Sequence, residues 1–143
     1  MIIEKLKKED IPQILELYKE LVDYENNLPV SQQVYEKMLA DDNYYLLVAK
    51  DGDTIMGSVL GVVCYSLPVL GKSFMVVEDV VVKKEYRRHG VGKKLFEEID
   101  RIALEKDCLY SMLVSGHERK EAHIFYERQG YDEKVKGFRK KYF

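Results

Sequence analysis

The sequence has few of the features that mark secreted, membrane-bound or disulfide-linked proteins. Its 143 residues include only two cysteines, Cys64 and Cys108, and each lies inside an apolar, strand-like stretch. This placement indicates reduced core residues rather than a disulfide framework or a metal site. No apolar run approaches the length of a membrane span, and the first ten residues lack the apolar core of a signal peptide. We therefore expect a cytoplasmic protein that binds no metal and no membrane.

The sequence also lacks an excess of charge of either sign. It has 23 basic and 25 acidic residues, and its formal net charge is −2. This balance argues against a general attraction to nucleic acid, although the basic clusters Arg87-Arg88 and Arg139-Lys140-Lys141 could bind a polyanion locally. Hydrophobic residues make up 46% and charged residues 34% of the chain, without repeats or linkers. Length and composition together predict one domain that spans residues 1–143.

Strand-like runs and helical stripes succeed one another along the chain. In order, they predict a strand over residues 2–6, helices over 9–22 and 31–40 (the second capped by Ser31), strands over 44–49, 54–67 and 73–83, a helix opening at Gly90 and Gly92, a strand over 108–114, a short helix over 119–129, and one or two final strands from Tyr131 onward. The strand–helix–strand unit around the glycines implies a parallel pair of strands with a right-handed connection. The pattern as a whole predicts an α/β protein.

The turn at residues 87–93 (Arg-Arg-His-Gly-Val-Gly-Lys) is the strongest candidate for a binding site. A helix start presents unpaired N–H groups and partial positive charge, which together favour phosphate. The turn is not a P-loop, because its glycines are too close together and no Ser or Thr follows the lysine. It is not a dinucleotide fingerprint either, because Leu95 occupies the position of the third small residue. What remains is the pattern Arg-x-x-Gly-x-Gly, formed by Arg87, Gly90 and Gly92.

Residues 76–96 resemble the acetyl-CoA-binding core of the GNAT superfamily of N-acetyltransferases. The resemblance includes the strand that ends at Val82, the Glu85-Tyr86 spacer and the helix after the turn. It implies that backbone N–H groups of the turn hold the CoA pyrophosphate and that the strand's main chain holds the pantetheine arm. The implied cofactor-binding residues are Val80, Val81, Val82, Arg87, Arg88, His89, Gly90, Val91, Gly92, Lys93 and Arg119.

The resemblance also implies an architecture. We expect an α/β (α+β in some schemes) fold with a mixed, mostly antiparallel sheet of six to seven strands, flanked by about four helices. Two neighbouring parallel strands, ending near Val82 and Val114, are expected to splay apart at the cofactor site.

A second block, residues 119–131, resembles the helix that follows the splayed strand in the same family. Its Phe125 is expected in the core, and the resemblance implies that Tyr126 is the general acid that protonates the departing CoA thiolate. A tyrosine with a pKa of about 10 is protonated at neutral pH, as this role requires. Arg119 stands where many members have Asn, so its contact could be CoA, an anionic acceptor or solvent. His123 is expected to be structural or to face the cofactor. This variant of the motif is most similar to small-molecule amine acetylators.

Glu78 and Asp79 interrupt the apolar strand before the turn. An alkylammonium acceptor has a pKa of about 10.4, so a base must take its proton before the amine can attack. Strand alternation sends the two carboxylates to opposite faces, with Glu78 on the face of Val80 and Val82. We predict Glu78 as the base, with Asp79 as the alternative. A salt bridge to a neighbouring helix would be a purely structural role.

These observations predict an acetyl-CoA-dependent N-acetyltransferase that acts on a primary amine of a small molecule by direct attack. A protein or peptide N-acetyltransferase, which would need an open groove, and a non-catalytic acyl-CoA-binding module are the alternatives. Nucleic acid is not an expected partner. The acceptor's identity cannot be read, but its walls should come from the first two helices, the loop around residues 68–72 and the C-terminal strands. An exposed edge strand could pair two copies into a homodimer.

Overall fold

A five-stranded sheet organises the computed structural model, which describes residues 1–143. In chain order the elements are β1 (Ile2–Lys5), α1 (Ile11–Tyr18), α2 (Leu28–Leu39), β2 (Tyr44–Asp51), β3 (Thr54–Cys64), β4 (Ser73–Val82), α3 (Val91–Glu105), β5 (Cys108–Met112) and α4 (Lys120–Arg128), with short 3-10 helices at Lys8–Asp10 and Lys84–Tyr86. The strands follow the order β1-β2-β3-β4-β5. The first four are antiparallel, and β5 runs parallel to β4. None of the helices combines the length and the apolar character needed to cross a membrane.

The sheet has an apolar core on each face. The helix α3 covers one face with Leu95, Phe96 and Ile99, whose side chains are almost completely buried. Its charged residues lie between these positions, so the helical period alone separates the two sides of the helix. On the other face, α1 packs Ile14 and Leu17. Burying one such side chain stabilises the fold by about 1.5–3 kcal/mol.

The parallel pair β4–β5 separates partway along its length, as expected. The register pairs Ser73 with Cys108 and Val76 with Met112, where β5 ends. The strand β4 continues to Val82 without a partner on that side. The two parallel strands are therefore unpaired beyond Val76 and Met112, and α3 begins shortly after β4 ends.

A β-bulge interrupts β4 at Asp79. The register pairs Leu60 with Glu78 and then Ser58 with Val81, so Asp79 and the residue after it stand opposite a single residue of β3. Asp79 adopts a φ of 52°, in the left-handed region that non-glycine residues seldom occupy. The extra residue accounts for the local break in strand alternation.

Because of this bulge, the predicted placement of Glu78 was wrong. Val80 and Val82 pack toward the core beneath α3, and so does Val77 before the bulge. Glu78 follows Val77 in regular alternation and therefore does not share the face of Val80 and Val82. The two sides of the bulge are out of phase, which strand periodicity applied to the sequence could not foresee.

The predicted C-terminal strands do not form. Residues 131–143 contain neither helix nor strand, and no backbone–backbone hydrogen bond reaches beyond Tyr131. Five cations and a glycine lie between positions 134 and 141, and such a sequence offers no alternating apolar face to hold a strand on the sheet. The sheet consequently has five strands instead of six to seven, and β5 is an edge strand.

The connection between α1 and α2 also differs from expectation. The structure ends α1 at Tyr18 and caps α2 with Asn27, whose side chain accepts a hydrogen bond from Val30 N at 3.0 Å. Ser31, the predicted cap, lies inside α2. Asn is as good an N-cap as Ser, and Pro29 fits the first turn because its missing N–H has no helical partner there.

Candidate active site

The turn between β4 and α3 has a backbone conformation suited to binding an anion. Arg88 and Gly90 both adopt left-handed conformations, with φ of 64° and 80°. Gly90 is the N-cap of α3, and no side chain caps this helix. The first N–H groups of α3 therefore lack a side-chain acceptor, and the helix dipole adds partial positive charge at the same place.

The two glycines of the motif serve different purposes. A Cβ at Gly90 would meet no atom within 4 Å, so the positive φ is what favours glycine there. A Cβ at Gly92 would lie 2.8 Å from the Phe125 ring. Gly92 thus allows the start of α3 to approach α4 closely, a packing role that the sequence did not reveal.

The basic residues of the turn do not all face the candidate site. The Arg87 guanidinium donates to the Val82 carbonyl at 3.0 Å through Nε and lies 3.5 Å from the Glu20 carboxylate through Nη2. Lys93 stands 4.0 Å from Glu97, at the limit of an ion pair. Arg88 and His89 are exposed and take part in no salt bridge. The structure therefore separates Arg87, which is engaged within the protein, from the other cations of the turn.

Tyr126 projects from α4 into the core beneath α3 and lies at the edge of an open cleft. Its side chain is only 7% exposed, and its ring packs 5.8 Å from that of Phe96. Its hydroxyl makes no hydrogen bond to the protein. Burial raises the pKa of Tyr126, and so does the charge of Glu78, while Arg119 lowers it. The phenol is therefore protonated at neutral pH.

Glu78 and Asp79 form a pair of carboxylates without a cationic partner. Neither takes part in a salt bridge, so the structural role considered for them is absent. Desolvation raises the pKa of both, and the charge of Asp79 raises that of Glu78 further, with Arg139 acting in the opposite sense. Protons therefore bind these carboxylates more readily than they bind a free aspartate or glutamate.

Tyr18, the last residue of α1, also belongs to this region, although the sequence placed it only within the predicted helix over residues 9–22. Burial raises its pKa, and the negative charge of Asp79 raises it further, whereas a hydrogen bond with Ser58 opposes the shift. Its hydroxyl is therefore neutral at physiological pH. Only the bulge brings Asp79 toward α1, so no sequence signal could have linked Tyr18 to this site.

The loop before α4 is held by His123. Its Nε2 lies 2.8 Å from the Gly116 carbonyl oxygen, a contact that supports a structural role for this histidine. Arg119 stands at the N-cap of α4, exposed and without a salt bridge. Its charge reaches Tyr126, whose pKa it lowers.

The cleft beside Tyr126 has a volume of about 730 Å³. It lies between β5, α4 and the C-terminal segment, and includes His123 and Gly137 in its wall. The wall of this cleft includes Tyr126 but neither the two carboxylates nor the α3 turn. The charges of Glu78 and Arg119 reach Tyr126, and the charge of Asp79 reaches Glu78. These residues can supply a proton acceptor and a proton donor, and the turn supplies an anion-binding helix terminus.

Comparison with known proteins identifies the family. Residues 10–131 match the model described as "Acetyltransferase (GNAT) family". A thialysine N-epsilon-acetyltransferase of Bos taurus is 28% identical over 144 residues, which cover 91% of this chain and 83% of that protein.

Solved structures share the fold. One from Agrobacterium tumefaciens str. C58, named as an acetyltransferase, has a TM-score of 0.92 and 24% identity, covering 99% of both chains. Glucosamine-6-phosphate N-acetyltransferase from Arabidopsis thaliana has a TM-score of 0.88 and 21% identity, covering 99% of this chain and 98% of that one. With the family model spanning most of the sequence, the chain belongs to the GNAT acetyltransferase family and is an acetyltransferase.

Proposed function

We propose that this acetyltransferase moves the acetyl group of acetyl-CoA to a primary amine of a small molecule by direct attack. The observation that carries the proposal is the unpaired carboxylate pair at Glu78 and Asp79, coupled to the buried, protonated Tyr126 where β4 and β5 separate. An amine acetylation needs a group that takes a proton and a group that gives one, and these residues supply both.

The residues near the turn fit acetyl-CoA, the acetyl donor that GNAT acetyltransferases use. A diphosphate requires several converging N–H donors, and the uncapped start of α3 offers them beside Arg88, His89 and Lys93. The end of β4 from Val80 to Val82, which has no partner on the β5 side, would hold the pantetheine arm through its main chain. When bound, acetyl-CoA supplies an activated thioester. Residues 88–93 and the end of β4 would hold the thioester in position for attack. Such positioning lowers the entropic part of the reaction barrier.

Glu78 would accept the proton that leaves the attacking amine, directly or through a water molecule. Its raised pKa makes its ionised form a stronger base than an ordinary glutamate. Asp79 is the alternative base, because its pKa is also raised and it lies next in the chain. Two adjacent, exposed carboxylates without a salt-bridge partner also favour a cationic acceptor.

Tyr126 would donate a proton to the sulfur that leaves. Burial keeps its hydroxyl protonated until the thiolate forms, and Arg119 limits how far the pKa rises. A phenol whose pKa rose too far would be a poor acid, so this opposing charge assists the donation. Backbone N–H groups of β4 would polarise the acetyl carbonyl.

A small acceptor agrees with the names of the related proteins. The Bos taurus relative is named for thialysine, and the Arabidopsis structure for glucosamine 6-phosphate. Each of these compounds carries a primary amine on a small molecule. We therefore extend the proposal to the small-molecule class and leave the individual acceptor to experiment.

The test is thiol release from acetyl-CoA with a panel of acceptors: alkyl diamines, amino acids, amino sugars and lysine-containing peptides, with CoA affinity measured by calorimetry. We expect release above background with a small cationic amine. Release only with peptides would contradict the small-molecule class. If the protein binds CoA but releases no thiol with any acceptor, the proposed reaction is wrong and an acyl-CoA-binding role is favoured.

A further inference from the structure

Glu20, in the turn after α1, contacts the segment that leads into the α3 turn, although it lies far from it in sequence. Its Oε2 accepts a hydrogen bond from Lys84 N at 3.0 Å and stands 3.5 Å from Arg87 Nη2. Lys84 begins the 3-10 helix Lys84–Tyr86, whose first N–H has no partner within that helix. The Glu20 carboxylate satisfies this donor and pairs with a cation of the same segment.

Arg87 connects the Glu20 contact to the end of β4. Its Nε donates to the Val82 carbonyl oxygen at 3.0 Å, while its Nη2 faces Glu20. A single guanidinium therefore joins the last residue of the strand to the turn after α1. Arg can do this because its fork presents several donors in one plane. The 3-10 helix between Val82 and Arg87 is consequently held at both of its ends.

The backbone immediately after Arg87 has an unusual conformation. Arg88 has a φ of 64°, which an L-residue adopts at an energetic cost, and Gly90 follows with a φ of 80°. Such a conformation persists only when neighbouring contacts hold the chain in place. The contacts made by Arg87 are the last side-chain anchors before this turn.

We infer that Glu20 is a positioning residue for the cofactor-binding turn and acts through Arg87 and the Lys84 amide. The inference rests on the proposed function, because it takes the turn at residues 88–93 to bind the diphosphate of CoA. Glu20 holds the entry to the turn, so the N–H groups at the start of α3 are aimed before the ligand arrives. Preorganisation of this kind increases affinity because less of the turn's backbone must become ordered when CoA binds.

A different role for Arg87 would leave Glu20 irrelevant to CoA binding. In that arrangement the guanidinium would leave Glu20 and bind the diphosphate itself. Loss of Arg87 would then weaken CoA binding, whereas loss of the Glu20 charge would leave affinity unchanged or increase it. Positioning instead predicts that either loss weakens CoA binding and that the two losses are not additive.

The experiment compares Glu20→Gln, Arg87→Gln and the double variant with wild type, and uses Glu16→Gln as the matched control. Glu16 lies in α1, is exposed and pairs only with Lys19. We measure CoA affinity by calorimetry, separate KM values for acetyl-CoA and for the amine, kcat and the thermal midpoint.

Both single variants should raise the CoA Kd and the KM for acetyl-CoA by about fivefold to tenfold, as expected for the loss of charge-assisted hydrogen bonds. The double variant should be no weaker than the weaker single variant. The KM for the amine, kcat and the thermal midpoint should match those of Glu16→Gln, which a general loss of structure would not allow.

Two results would overturn the inference and leave the proposed function intact. These are a wild-type CoA affinity in Glu20→Gln and additive losses of CoA affinity in the double variant. Equal loss of every parameter together with a lower thermal midpoint would do the same, because it would indicate a general structural role. Failure of the wild-type protein to bind CoA would instead overturn the proposed function, and the inference with it.

Discussion

At the residue scale, the acidic pair on β4 shows how local packing sets protonation. Glu78 and Asp79 lie close together without a cation in salt-bridge contact. Desolvation raises the pKa of both, and the charge of Asp79 raises that of Glu78 further. Tyr126 is affected by the same surroundings, since the charge of Glu78 reaches it. A surface selected for stability alone would pair or separate such carboxylates. Their arrangement is easier to explain by chemistry than by folding.

The raised pKa of Glu78 predicts a cost in stability. Its pKa in the folded state lies above that in the unfolded chain. Its contribution to stability is therefore full below the unfolded pKa and is lost as the pH rises through the folded pKa. Glu78→Gln removes this ionisation, so the variant should melt slightly above wild type at pH 7, by no more than about 1 °C because Glu78 is exposed and solvent screens the effect. The two should converge near pH 4, as thermal scans at both pH values can check. A difference in melting temperature that is equal at both pH values would contradict this explanation.

At the element scale, the start of α3 is fixed by its contact with α4. The Phe125 ring lies against Gly92 and is itself held by Phe96 and Tyr126 at centroid distances of 5.5 Å. The ring therefore has little freedom to move aside. The position of the candidate proton donor, Tyr126, thus depends on the same contact that places the α3 turn.

Replacing Gly92 by Ala should destabilise the protein by about 1–3 kcal/mol, because the new Cβ would overlap the Phe125 ring. Alanine's higher helix propensity opposes this with about 1 kcal/mol. Urea unfolding can measure the net effect, and Phe125→Leu provides the matched control, because it removes the overlapping ring atoms. Gly92→Ala should be less harmful in the Phe125→Leu background. A Gly92→Ala variant as stable as wild type would show that α3 and α4 can separate at no cost.

The elements also show where sequence reasoning succeeds and where it stops. The strand, turn and helix around Gly90 were predictable, because burial, glycine and helical periodicity all act locally. The bulge at Asp79 was not, because a single residue with a positive φ in a strand has no periodic signal. The packing role of Gly92 depends on Phe125, which is distant in sequence. The predicted C-terminal strands failed because the segment after Tyr131 is rich in charge and offers no alternating apolar face.

At the scale of the whole molecule, two different interactions stabilise the sheet. The α3 side relies on apolar packing, whereas the N-terminal segment is joined to β2 by a buried ion pair. Lys50 Nζ lies 2.6 Å from Asp10 Oδ2, and both side chains are close to fully buried. The pKa of Lys50 is raised, chiefly by its hydrogen bond to Asp10. The pair lies at the β1–β2 side of the sheet, away from the separated ends of β4 and β5.

Asp10→Ala should therefore destabilise the whole protein by about 3 kcal/mol, since it leaves the buried Lys50 charge without its main partner. The measurement is urea unfolding, with Glu16→Ala as control. That control breaks an exposed pair with Lys19 and should change stability by less than about 0.5 kcal/mol. Equal effects of the two substitutions would mean that water reaches Lys50 in the native state.

The most direct test of the proposed mechanism is kcat for Tyr126→Phe, measured with the best acceptor amine and accompanied by CoA affinity. Phenylalanine keeps the ring that packs on Phe96 and removes only the hydroxyl. We expect kcat to fall by about 100-fold, the lower end of what general acid catalysis contributes, while the Kd for CoA stays within about twofold. Turnover equal to that of wild type would contradict the assignment of Tyr126 as the group that protonates the leaving sulfur.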